Sequence, residues 1–179
     1  DCRASAIGPD SARLSGARLW RVRLNRQLCR SPTRAGRNDM KLWIDTEFNE
    51  YRGALISMAL VAEDGREWYG VRYCDDPGWW VKEHVMPHLN QEPERDASLR
   101  GSLGAFLCSF DSVHIVSDWP GDIAHLCNFL EWAPGERVGP DCMTFEVRRD
   151  LPDTATTSRI PHNALEDARA LARGALAAA

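Results

Sequence analysis

The chain has 179 residues, 44% of them hydrophobic, which suits one globular domain and contains no run of about 18 apolar residues to span a membrane as a helix. The charge is split: nine Arg against three acidic residues over 1–39 give +6, and 13 basic against 23 acidic residues over 40–179 give −10. So acidic a main part excludes nucleic-acid binding by bulk positive charge, and leaves metal ions and a few local arginines to grip any polyanion.

Residues 1–39 are rich in Ser, Arg, Gly and Ala, with little hydrophobic period. They lack the apolar segment of a secretory signal; an Arg-rich, acid-poor stretch also suits a transit peptide or a nucleic-acid-binding arm. Because such compositions seldom build a core, we expect 1–39 to be a basic, disordered extension and 40–179 to be the folded domain.

From Met40 the pattern changes. Lys41–Phe48 predicts a strand, and Ala54–Ala62 a second, continuously apolar one. Asp64-Gly65 is a two-residue hairpin signal, and Arg66–Tyr73 predicts the third strand. Trp79–His88 predicts a short helix ending near Pro87. Over Arg95–Phe110 the apolar residues Leu99, Leu103, Phe106, Leu107 and Phe110 make a helical stripe. Ser112–Ser117 predicts the fourth strand. Asp122–Glu131 predicts a helix with Ile123, Leu126, Cys127 and Leu130 on one face. Cys142–Val147 predicts the fifth strand, Arg148–Pro161 a long loop, and Asn163–Leu176 a last helix with Ala164, Ala168, Leu171, Ala172 and Ala175 inward. Three strands followed by alternating helices and strands imply an α/β fold, a mixed five-stranded sheet flanked by helices. The six cysteines show neither CxxC nor zinc-finger spacing. We expect reduced thiols in a cytoplasmic setting, with Cys108 and Cys127 buried.

Three acidic motifs stand out. Asp45 and Glu47 lie two apart on the first strand, so both carboxylates share a face, with Ile44, Thr46 and Phe48 on the other. Adjacent carboxylates repel, and a hard divalent cation resolves that. A solvated strand end carries the same pattern. In SDWPGD (117–122) Asp118 ends a strand and Asp122 sits in the first turn of a helix, where it also complements the dipole. In HNALED (162–167) Asn163 and Glu166 form a capping-box-like pair. They leave His162 just ahead of the helix and Asp167 one turn inside it.

In this order the motifs resemble the DEDDh 3′–5′ exonuclease family: IDTEF as the first, SDWPGD as the second and PHNALEDA as the third, over about residues 40–173. Within it, the small bacterial 3′–5′ exoribonucleases also open on a strand carrying DTEF. The resemblance implies a ribonuclease-H-like fold and two divalent cations, Mg²⁺ or Mn²⁺. It implies Asp45, Glu47, Asp122 and Asp167 as metal ligands and His162 as general base. Asp45 would serve both ions, Glu47 and Asp167 the nucleophile side, and Asp122 the other side through water. The implied substrate is the 3′ end of single-stranded RNA, released as nucleoside 5′-monophosphates. Many family members read HNxxFD where this chain has SDWPGD, so Asp118 competes with Asp122. The constellation does not read the sugar. A DNA exonuclease of the same fold and a catalytically inactive nucleic-acid-binding protein are the alternatives.

Beyond the acids, Arg148, Arg149 and Arg159 precede His162 and suit contact with a phosphate backbone, as they suit a solvated loop. Trp119 suits stacking on a base or packing between sheet and helix. Trp79-Trp80 reads as core or as a homodimer contact. His84 and His88 are four apart, but with Pro87 between them they read as core or surface rather than as a zinc pair.

Overall fold

The sheet grows outward from a strand whose two faces are both needed, as seen in the computed structural model, which describes residues 39–177. This strand, β1 (Met40–Phe48), sends Leu42 and Ile44 into one core and Trp43 into another. It pairs antiparallel with β2 (Leu55–Ala62), and β2 with β3 (Glu67–Val71), after a turn in which Gly65 takes φ +87. Next come α1 (Trp79–His84), a 3-10 turn (Met86–His88) and α2 (Asp96–Leu107). Then β4 (Val113–Ser117) returns to lie parallel beside β1. α3 (Pro120–Leu130) follows, with a small hairpin of β5 (Glu131–Ala133) and β6 (Glu136–Arg137). β7 (Met143–Val147) runs parallel to β4 at the sheet edge, α4 (Thr154–Thr157) is one turn long, and α5 (Ala164–Ala177) ends the described chain.

The strand order is β3-β2-β1-β4-β7. This is the expected ribonuclease-H-like mixed five-stranded sheet. One face packs Leu42, Ile44, Met58 and Leu60 against Leu99, Leu103 and Leu107 of α2 and Leu126 of α3. The other packs Trp43, Ala59 and Val116 against Ala164, Ala168 and Leu171 of α5. β2, covered on both faces, is buried along its whole length, which is why its sequence is apolar without alternation. Small residues on α5 let that helix lie close to the sheet.

Several expectations are corrected. On α3 the buried residues are Asp122, Leu126, Phe129 and Leu130; Cys127 is exposed and Cys108 half-buried. With apolar residues around much of α3, period alone did not choose between Cys127 and Phe129, and the larger ring won the core. Trp79 and Trp80 are not core, being 72% and 38% exposed. The long loop contains α4, started by Asp153, whose Oδ1 accepts the N–H of Ala155 at 3.1 Å. Cys74, Cys127 and Cys142 are free thiols. Among the described residues no helix is long and apolar enough to cross a membrane. The expected extension lies outside the described residues, except Asp39, which accepts a hydrogen bond from Ser112.

Candidate active site

β1 and β4 pair as far as Trp43 and Val116, then part. β4 stops at Ser117, while β1 continues through Glu47 along β2 alone. Two parallel strands that separate leave a crevice at their carboxyl ends, where such sheets take ligands. The first turns of α3 and α5 bring Asp122 and Asp167 to it.

Two groups of acids converge there. Carboxylate oxygens of Asp45, Glu47 and Asp167 lie within 4.8 Å of one another, and so do those of Asp45, Asp118 and Asp122. Asp45 belongs to both. All four expected acids are thus brought together, and Asp118, expected as a rival of Asp122, joins it instead.

The surroundings of each acid differ. Asp122 is buried, with Oδ1 accepting from the Thr46 hydroxyl at 2.6 Å and Oδ2 from the Ser117 hydroxyl at 2.7 Å. Asp167 Oδ2 accepts the backbone N–H of His162 at 3.1 Å, while its buried Oδ1 makes no well-formed hydrogen bond among the described residues, its neighbour being the Ser158 hydroxyl. A buried carboxylate oxygen without a donor is costly unless a cation meets it. An all-oxygen set of this kind fits a hard divalent metal.

Crowding shows in the proton affinities. Burial first, then Asp122, Glu47, Asp167 and Asp118, holds the Asp45 carboxyl well above the usual carboxylate range. Burial, followed by the charges of Asp167 and Asp122, pushes Glu47 up to about 8. Burial lifts Asp122 and Asp167 each to about 6, against hydrogen bonds that pull the other way. Asp118 is raised by burial, with Arg149 opposing. A cation would relieve all five.

His162 stands at the rim with φ 65, in the left-handed region. Its Nδ1 is 3.9 Å from Glu47 Oε1, and its ring meets Trp80 edge-on at 5.0 Å. Burial, then the neighbouring His84 and His88, lowers its pKa. Behind it, Asn163 Oδ1 accepts the N–H of Glu166 at 3.0 Å and caps α5. The Glu166 carboxylate does not close the box; it pairs with Arg169.

Trp119 is 49% exposed with the Arg149 guanidinium 5.1 Å from its ring centre, so it does not pack between sheet and helix. Arg148 pairs with Asp150, and Arg149 donates to the Asp118 carbonyl at 3.0 Å. Arg159 is exposed, with no ion pair or hydrogen bond among the described residues. Sequence reasoning missed Thr46 and Ser117 as the hydroxyls that hold Asp122; their places beside Asp45 and Asp118 were the available signal.

No family model matches the chain. Two proteins named 3′–5′ exoribonuclease, from Mycobacterium tuberculosis strains CDC 1551 / Oshkosh and ATCC 25618 / H37Rv, are each 35% identical to it over 148 residues, covering 73% of this chain and 88% of theirs. The chain belongs to the bacterial 3′–5′ exoribonuclease family. It is an exonuclease by that membership. Within this family member, the crevice built on Asp45 is where the acids fit a divalent metal.

Proposed function

We propose that the chain is a metal-dependent 3′–5′ exoribonuclease that trims single-stranded RNA from its 3′ end, releasing nucleoside 5′-monophosphates. The observation that carries this reading is the sharing of Asp45 between two groups of converging carboxylates. Asp45 would help hold two divalent cations, Mg²⁺ or Mn²⁺. Glu47 and Asp167 would complete the set for one, Asp118 and Asp122 for the other. Both oxygens of Asp122 already accept hydroxyls, which suits an outer role through water. Bound cations neutralise charge on the scissile phosphate and lower the pKa of the attacking water.

The chain's own residues supply the rest. His162 is the general base. With its pKa held below the ordinary value, the imidazole is neutral near pH 7 and able to accept the water's proton. Thr46 and Ser117 fix Asp122 against β1 and β4. Arg159, three residues before His162, exposed and without an ion pair among the described residues, suits contact with a backbone phosphate. The open face of Trp119 suits a stacked base.

The test is a side-by-side incubation of labelled RNA and DNA of one sequence with Mn²⁺. RNA shortened from its 3′ end faster than DNA is the expected result. A clear preference for DNA would assign the chain to DNA trimming. RNA binding without any cleavage would make it an inactive binding protein.

A further inference from the structure

The segment between β3 and α2 holds none of the clustered acids, yet both of its ends are tied to the chain segments that carry them. At one end Asn49, just past β1, accepts the backbone N–H of Gly78 at 2.7 Å and donates to the Asp76 carbonyl at 2.9 Å. At the other end the cap of α5, Asn163, donates to the His88 carbonyl at 2.6 Å. Between these ties Val81, Val85 and Leu89 are buried against Ile56 and Val71. Tyr69 donates to the Leu89 carbonyl at 2.8 Å. Anchors one turn apart at Val81 and Val85 set the rotation of α1 on the sheet. That rotation directs Trp80, beside Val81, toward His162.

The indole lies between two imidazoles. His162 is 5.0 Å away at 85°, edge to face, and His84 is 4.9 Å away at 50°. His162 has need of such a neighbour. Its backbone is held by Asp167, but no hydrogen bond reaches its ring among the described residues, and Glu47 Oε1 at 3.9 Å is too far for one. Catalytic imidazoles are ordinarily oriented through a hydrogen bond to the second ring nitrogen. Here an edge-to-face aromatic contact, which has its own preferred geometry, occupies that place.

We propose that Trp80 is a positioning residue for His162, fixing the plane of the imidazole over the Glu47 side of the crevice, with the Asn49-to-Asn163 strap setting where the indole stands. The proposal rests on the reading of His162 as general base. Trp80 does its work through His162, not by touching substrate.

Steady-state rates on RNA with saturating Mn²⁺ test it in the full chain, using Trp80→Ala, Trp80→Leu, Trp80→Phe, His162→Ala and the Trp80→Ala/His162→Ala double variant. Trp80→Ala should lower kcat at least about fivefold with KM within about twofold, the pattern of a misplaced catalytic group. Trp80→Phe, which keeps an aromatic face, should retain kcat within about twofold. In the His162→Ala background, Trp80→Ala should add less than about twofold, because its partner is gone. Trp80→Leu fills the space without a ring and reads the same effect if the alanine variant folds poorly. A loss carried by KM would make the indole a base platform and overturn the proposal. So would a Trp80→Ala loss that persists without His162. A slow His162→Ala beside fast Trp80→Ala and Trp80→Leu sinks the positioning role alone, whereas a His162→Ala enzyme as fast as wild type sinks the base reading itself, and the proposal with it.

Discussion

The backbone N–H of His162 donates to Asp167 Oδ2 at 3.1 Å, and the left-handed φ of 65 at His162 accompanies that bond. Non-glycine residues pay roughly 1–3 kcal/mol to sit in that region, so the helix entry is strained at the one residue assigned as base. The bond uses one oxygen of Asp167; the other, buried and without a well-formed hydrogen bond among the described residues, is the one the proposed reading gives to a cation. On the proposed reading His162 and Asp167 are linked in structure but separate in role.

That separation is measurable. His162→Ala should bind Mn²⁺ about as tightly as wild type while its rate falls roughly 10²–10⁴-fold. Asp167→Asn keeps an acceptor for the His162 N–H and should keep the fold, but with its charge gone Mn²⁺ binding should weaken. Calorimetric titration with Mn²⁺, run beside the rate assay, separates the two. Retained activity within a few-fold for His162→Ala would remove the base assignment.

The two acids of the second motif should also part company. Asp122→Ala leaves the buried Thr46 hydroxyl without its acceptor, at a cost of about 1–3 kcal/mol, while the Ser117 hydroxyl keeps the Trp119 carbonyl. Asp118 is only half-buried, so Asp118→Ala should leave stability nearly unchanged and weaken Mn²⁺ binding. Urea unfolding reports the first effect and metal titration the second. Equal destabilisation by both substitutions would count against this division.

Metal-free stability should depend on pH with an unusual sign. Glu47 is pushed from 4.5 to about 8, and Asp122 and Asp167 from 3.8 to about 6. An acid whose pKa is higher in the fold than in the unfolded chain holds its proton more tightly when folded. Its contribution is full below the unfolded pKa and is lost as pH rises through the folded value. In EDTA the melting temperature should therefore fall from about pH 5 to about pH 8. Saturating Mn²⁺, which binds the ionised acids, should flatten or reverse that slope. A melting temperature in EDTA that climbs across this window would contradict the crowded-carboxylate picture.

Much of this was legible in the chain. Period-two placement put Asp45 and Glu47 on one face of β1, and their order with SDWPGD and HNALED was enough to suggest a shared site. What failed depended on contacts between distant segments. Asp118 reads as a rival to Asp122 because the family pattern assigns one acid to the second motif, whereas the turn from β4 into α3 brings both to Asp45. Thr46 was placed with the core on the far face, but its hydroxyl reaches Asp122 across the gap where β1 and β4 part. Trp80 looked like core or interface, since nothing local in a Trp-Trp pair points to a histidine on another element. Phe129 displaced Cys127 from the α3 core because both lie near the apolar stripe and size decides such cases.

On the proposed reading hydrolysis depends on cations held by Asp45. Release of nucleoside 5′-monophosphates from single-stranded RNA, followed as Mn²⁺ is titrated into metal-free wild type and Asp45→Ala, tests it most directly. Wild type should be inactive in EDTA and recover with Mn²⁺, shortening RNA one nucleotide at a time from the 3′ end, while Asp45→Ala neither binds Mn²⁺ tightly nor recovers. Undiminished turnover by wild type in EDTA, or full recovery of Asp45→Ala at the same Mn²⁺ concentration, would contradict it.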